Sequence, residues 1–165
     1  MTGVDAAWEQ RMSDLWTKLD DHGEEEFVAL VESLTAELPA GSAIAHFERA
    51  SAFDSTGYED RAVPLYEAAL DAGLEGERRR RAVIQMASSL RNLGNAQDAV
   101  VLLTAELDAA TDALDGAVRA FLALALTDVG REREAVSVAL TALSGYLPRY
   151  NRSLANYAQA LTGSR

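Results

Sequence analysis

Two histidines, two acidic runs and one basic run are the residues of this chain whose types and spacing could do chemistry. His22 stands in DDHGEEE (20–26), His46 in AHFER (45–49), and four arginines follow one another in ERRRR (77–81). Carboxylates beside an imidazole can move protons if both converge on one reacting atom. Neither histidine has the H-E-x-x-H spacing of a helical zinc site. The chain has no cysteine, hence no thiol nucleophile and no thiolate ligand, and no glycine-rich phosphate loop. His22 reads as a turn residue among solvated carboxylates, and His46 as a packed or hydrogen-bonded helix residue. No catalytic, metal or cofactor site is expected. The arginine run has two readings: a basic spot for a partner's carboxylate or C-terminus, or the solvated start of a helix.

Charge narrows the partners. The formal charge is −11 over 165 residues, and residues 1–40 carry ten carboxylates against Arg11 and Lys18. Such a balance disfavours nucleic acid and anionic membranes, and ERRRR is too short a stripe to reverse it. No uncharged apolar run approaches the roughly 20 residues that span a bilayer. The opening MTGVDAAWEQ lacks a basic segment followed by an apolar run, so a cytoplasmic location is expected.

The elements that must position these residues announce themselves by period. Gly57, Gly94 and Gly130 lie 37 and 36 residues apart. Ala62, Ala99 and Ala135 follow them at one offset, and Ala50, Ala87 and Ala123 precede them at another. A period of this size marks stacked supersecondary units. Each unit reads as helix, tight turn, helix, with the glycine ending the first helix in the left-handed conformation. Ser42 is expected to cap one first helix and Asp115 another; Asn95 with Asp98 resembles a capping arrangement. The paired alanines are the expected points of closest helix approach. Phe53, Leu90, Leu126, Tyr66 and Leu103, with Leu70 or Leu107, fill the layer around them. Pro64 falls early in its helix, where it removes at most one hydrogen bond.

The flanks read as weaker versions of the design. Residues 7–41 form a divergent first hairpin that turns at Gly23, with Trp16 and Leu19 on its first helix and Val28 in the alanine position. Trp8 and Trp16, eight residues apart, lie within about 80° around a helix. Either both pack inside this hairpin, or one is exposed and anchors a dimer or a missing neighbouring domain. Residues 147–162 form a closing helix with Leu154, Tyr157 and Leu161 on one face. Between the flanks, units are expected over 42–78, 79–114 and 115–146, all in one domain spanning 1–165.

In this pattern the chain resembles the tetratricopeptide repeat family, specifically a bacterial subgroup with long units. GYEDRAVPLYEAAL carries the second-helix motif on Gly57, Ala62, Tyr66, Ala69 and Leu70. GNAQDAVVLLTAEL carries it on Gly94, Ala99 and Leu107, with Glu106 in place of a small residue; GREREAVSVALTAL carries it on Gly130, Ala135, Ala142 and Leu143. The first-helix motif departs at His46, Arg49 and Arg119. The resemblance implies an all-α fold, a right-handed helix-turn-helix repeat stack (a tetratricopeptide-like solenoid) of about nine helices.

The resemblance also implies a non-catalytic module whose first helices line a concave groove for a partner's peptide or helix. Its residues here would be Ile44, Phe47, Ser51, Asp54 and Ser55; then Arg81, Ile84, Ser88, Arg91 and Asn92; then Ala117, Ala120, Leu124, Thr127 and Asp128. The family's basic and asparagine clamp for a C-terminal carboxylate would fall on Phe47 and Ser51, where both residue types are absent. A protein or peptide partner is therefore expected, with no nucleic acid, no membrane and no cofactor. The rival reading is a self-associating scaffold, a homodimer at its simplest; an enzyme with an unrecognised carboxylate/histidine site stands third.

Overall fold

Glycine and alanine spacing translates directly into helices in the computed structural model, which describes residues 4–109 and 111–163. Nine α-helices and no strand occur among these residues. They are α1 (Ala6–Trp16), α2 (Glu24–Thr35), α3 (Ala43–Ser55), α4 (Glu59–Asp71), α5 (Gly76–Asn92), α6 (Ala96–Ala109), α7 (Asp115–Asp128), α8 (Glu132–Ser144) and α9 (Asn151–Ala160). A 3-10 turn, Leu19–Asp21, separates α1 from α2. The protein is thus all-α and built of consecutive helix-turn-helix pairs. α4 runs through Pro64 without interruption.

The three periodic glycines make three copies of one turn. Gly57, Gly94 and Gly130 have φ of 81°, 88° and 76°. Each turn donates two backbone hydrogen bonds back into the helix it ends: Gly57 to Asp54 (3.2 Å) and Tyr58 to Phe53 (2.9 Å), Gly94 to Arg91 (3.0 Å) and Asn95 to Leu90 (2.8 Å), Gly130 to Thr127 (3.1 Å) and Arg131 to Leu126 (2.9 Å). This paired pattern satisfies carbonyls that a helix C-terminus otherwise leaves open. The first turn adds an edge contact between the Phe53 and Tyr58 rings at 6.3 Å. A Cβ built on Gly94 meets nothing within 4 Å, so any cost of substitution there is conformational. Gly94→Ala is expected to lower the urea-unfolding free energy by about 1 kcal/mol. Gly145→Ala, at an ordinary φ of −65°, should be neutral or slightly stabilising.

Helix starts agree in part with expectation. Ser42 caps α3, its Oγ accepting from Ala45 N–H at 3.3 Å. Asp115 does not cap α7 but is its first residue; its carboxylate accepts from Asp112 N–H at 3.2 Å, while Asp112 accepts from Leu114 N–H at 2.7 Å. Gly23 also departs from expectation. It is the N-cap of α2 at φ −68°, not a left-handed turn residue, and Leu19 lies in the 3-10 turn rather than on α1. Three glutamates follow Gly23, and carboxylates in a first turn favour a helix start.

Two compact units divide the chain, Met1–Ala82 and Val83–Arg165, with the boundary inside α5. In the N-terminal unit α3 packs on α4 and on α2. Phe27, Val31, Phe47, Phe53 and Tyr66 are buried around Ala50 and Ala62, both fully inaccessible. The Tyr66 hydroxyl donates to Asp54 at 3.1 Å, and burial first, then the Asp54 charge, pushes its phenol well above the usual tyrosine range. Trp8 is interior to this unit and Trp16 half-buried. Trp8 is buried with its indole N–H on the Leu34 carbonyl (2.9 Å); Trp16 stacks edge-on against Phe27 (5.0 Å).

In the C-terminal unit α7 packs on α6 and α8, and α8 on α9. Ala87, Ala99, Ala123 and Ala135 all lie in one buried cluster with Ile84, Val100, Leu103, Val118, Leu122 and Leu126. Leu90 and Leu107 pack at its margin. The Ser137 hydroxyl donates to the Ala158 carbonyl at 2.7 Å and ties α9 to α8.

Candidate functional site

The first helices of the repeats, α3, α5 and α7, carry the residues expected to meet a partner. In the N-terminal unit, Phe47 and Ser51 are buried at 0% and 1% exposure and present no surface. Ile44 is half-buried. Arg81 is exposed, its guanidinium 5.3 Å from the centre of the Phe47 ring, an arrangement that shields the ring and fixes the cation. In the C-terminal unit Ile84 is also interior, at 6%. Three of the fifteen expected contact residues therefore belong to the core.

What remains outside is a small mixed face. Arg91 near the end of α5 pairs with Asp128 at the end of α7, Nε to Oδ2 at 2.5 Å. That pair fixes two successive first helices against each other. Asn92 and Thr127 stand exposed beside it and Ser88 is half-buried one turn earlier. The Thr127 hydroxyl donates to the Ala123 carbonyl at 2.9 Å, leaving its oxygen able to accept. Leu124 is 46% exposed although Leu122, Ala123, Ala125 and Leu126 around it in sequence are all buried. Chemically this face can hold an apolar side chain on Leu124 and hydrogen-bond a backbone or polar group beside it.

Part of the arginine run is engaged within the protein itself. Arg78 forms a two-pronged pair with Glu9 (3.0 and 2.5 Å) and donates through Nε to Glu48 (3.1 Å). Glu48 is only 4% exposed and also accepts from the Trp16 indole at 2.8 Å. The hydrogen bonds to Glu9 hold the Arg78 guanidinium above its ordinary pKa against the effect of burial, helped by the charges of Glu48 and Glu9. Arg80 is buried at 2%. Arg78 is therefore a structural clasp joining α5 to α1 and α3. Glu48 and Arg78 were missed from sequence; the one signal was a glutamate on the apolar stripe of α3, in line with Ile44, Ser51 and Ala52.

His46 lines a shallow cleft with Glu32 and Arg49, and His22 stands apart from it in the turn before α2. His22 Nδ1 lies 3.4 Å from Glu26 at the surface, and no three potential metal ligands converge among the described residues. A cleft of about 780 Å³ in the N-terminal unit lies between residues 38–44 and 72–78, with Asp5, Glu75, Glu77 and Arg78 on its walls and neither histidine. No described helix is long and apolar enough to cross a membrane.

Comparison with known families gives one match over most of the chain. The sequence model of the tetratrico peptide repeat matches residues 43–161, from the first residue of α3 to the residue after α9. The α1–α2 hairpin, whose turn lacks the left-handed glycine, lies outside the matched span. No curated protein and no solved structure matches the chain.

Proposed function

The chain belongs to the tetratricopeptide repeat family, and on that premise we propose that it is a non-catalytic cytoplasmic module that takes up a peptide or helix of a partner protein on its first-helix faces. Members of the family generally serve as protein-interaction modules. One observation carries the reading further: Leu124 is turned outward on α7 between buried neighbours, beside a polar rim fixed by the Arg91–Asp128 pair. An exposed aliphatic residue within a hydrogen-bonding rim is the usual composition of a protein contact. In the N-terminal unit, separately, Arg81 held over Phe47 offers a cation for a partner's carboxylate. The net charge of −11 disfavours a nucleic-acid role, and within the basic run Arg78 is engaged with Glu9 and Glu48.

The test is a pull-down from native lysate with the immobilised protein, comparing wild type with Leu124→Glu. Arg91→Glu is a poor probe, since it would set a carboxylate against Asp128 and perturb the fold itself. Leu124→Glu should retain the circular-dichroism spectrum and the thermal midpoint while losing at least tenfold in retained partner. Equal retention by both proteins would remove Leu124 from the binding face.

A further inference from the structure

The cleft of about 780 Å³ in the N-terminal unit has an apolar floor and a carboxylate rim. Val4, Leu38, Ile44 and Leu74 come to it from four different parts of the chain. Leu74 is 5% exposed and the other three are half-buried, whereas Asp5, Glu75 and Glu77 are exposed. The connection from α4 to α5 supplies both kinds of wall. Gly73 and Gly76 hold left-handed conformations, at φ of 81° and 63°. Between them the Leu74 N–H donates back to the Ala69 carbonyl at 3.0 Å, so Leu74 turns inward and Glu75 is left outside. A concave, mostly apolar site with a few polar groups is the usual form of a binding pocket.

The charge of this cleft is one-sided. Among the described residues neither Glu75 nor Glu77 pairs with a cation, although four arginines follow in sequence. Arg78 lines the cleft as well, but its hydrogen bonds to Glu9 and Glu48 offset its charge. Asp5 accepts from Ala7 N–H at 3.2 Å and keeps lone pairs able to accept from a ligand. Residues 1–82 carry eighteen carboxylates against eight basic residues, so the field of the whole unit acts in the same direction. Carboxylates over low-dielectric walls focus that field and draw cations in.

We propose that this cleft receives a lysine of a partner protein, its four-carbon stem on the apolar floor and its ammonium among the carboxylates of the rim. Lysine buries its stem along apolar surface while the charged head stays at the polar edge, and the cleft is divided in the same way. The carboxylates stand on two walls, Asp5 before α1 and Glu75 with Glu77 at the start of α5. A compact ammonium with three rotatable donors can serve both walls, whereas the planar arginine fork matches one carboxylate. Carboxylates also suit helix starts, as Asp5 shows by capping α1. That role requires no apolar floor beneath them. The inference rests on the reading of the chain as a protein-interaction module, but not on the face around Leu124, which lies in the other unit.

Methyl NMR of the full chain tests this with the peptide acetyl-Ala-Lys-Ala-amide. Its norleucine analogue is the neutral control, since it keeps the stem and lacks the ammonium. Added to about 20 mM, where a single side-chain contact becomes measurable, the lysine peptide should shift the Leu38, Ile44 and Leu74 methyls saturably. The norleucine peptide should bind at least fivefold more weakly. Salt at about 0.5 M should weaken the lysine peptide at least threefold. Glu75→Gln with Glu77→Gln should weaken it at least fivefold, with unchanged circular dichroism. Glu24→Gln with Glu25→Gln, an equal change of charge on α2 outside the cleft, should bind as wild type does. The proposal is overturned by any of these: no methyl shift with the lysine peptide, equal binding of the norleucine peptide, indifference to salt or to the Glu75 and Glu77 exchange, or equal loss in the α2 variant. None of them alters the pull-down with Leu124→Glu, so failure here is distinct from failure of the α7 reading.

Discussion

Arg78→Ala is expected to cost about 2–3 kcal/mol of stability. The side chain it removes holds two carboxylates, and one of them, Glu48, is 4% exposed. Breaking a buried ion pair from one side leaves the other charge uncompensated, at about 3–5 kcal/mol in full burial. Here the figure is discounted because the Arg78 and Glu9 side chains are 26% and 36% exposed and the Trp16 indole still donates to Glu48. Urea unfolding followed by tryptophan fluorescence reads the effect directly, since Trp16 touches the network. Replacing both ends, Arg78→Met with Glu48→Leu, should recover most of the loss, because it removes the stranded charge. A loss under about 0.5 kcal/mol would reduce the clasp to an ordinary surface pair.

Ala99→Leu is expected to destabilise by about 2 kcal/mol. Ala99 is fully inaccessible within the cluster that also holds Ala87, Leu103 and Leu126. Three extra carbons there must push α6 from its neighbours or force side chains from their rotamers. Val101→Leu, two residues away and 61% exposed, should stay within about 0.5 kcal/mol of wild type. The same urea titration compares them. Equal midpoints would mean that the helices do not approach through the alanine, and the physical reason given for the repeat would fail.

The repeat was legible because its marks are local. A left-handed turn needs glycine, and a close helix contact needs alanine, so each leaves a residue type at a fixed offset whatever surrounds it. Gly23 shows where that reading ends. Glycine serves equally at an N-cap, and the three glutamates after it favour a helix start over a turn. The arginine run was opaque for a different reason. Helical period reveals which side of α5 Arg78 occupies, but its partners Glu9 and Glu48 lie 69 and 30 residues away in sequence.

The candidate face was legible only in part. Phe47, Ser51 and Ile84 came from the family resemblance, and this chain buries them. Leu124 could not be ranked from sequence alone, because FLALALT (121–127) offers apolar residues on every side of its helix. Trp8 and Trp16 left two readings open; Trp8 is buried on the Leu34 carbonyl, while Trp16 packs against Phe27 but stays half-buried. Tyr157 does share a face with Leu154 and Leu161, yet it stands largely exposed, because the α8 contact is made by Ala158.

The central claim is that a partner docks on the first helices. Hydrogen-exchange mass spectrometry of the protein, with and without the partner that wild type retains and Leu124→Glu releases, tests it most directly. The account predicts slowed exchange in peptides covering 81–92 and 117–128, with α4, α6 and α8 unchanged. Protection concentrated on α4, α6 or α8, with α5 and α7 exchanging as before, would contradict it.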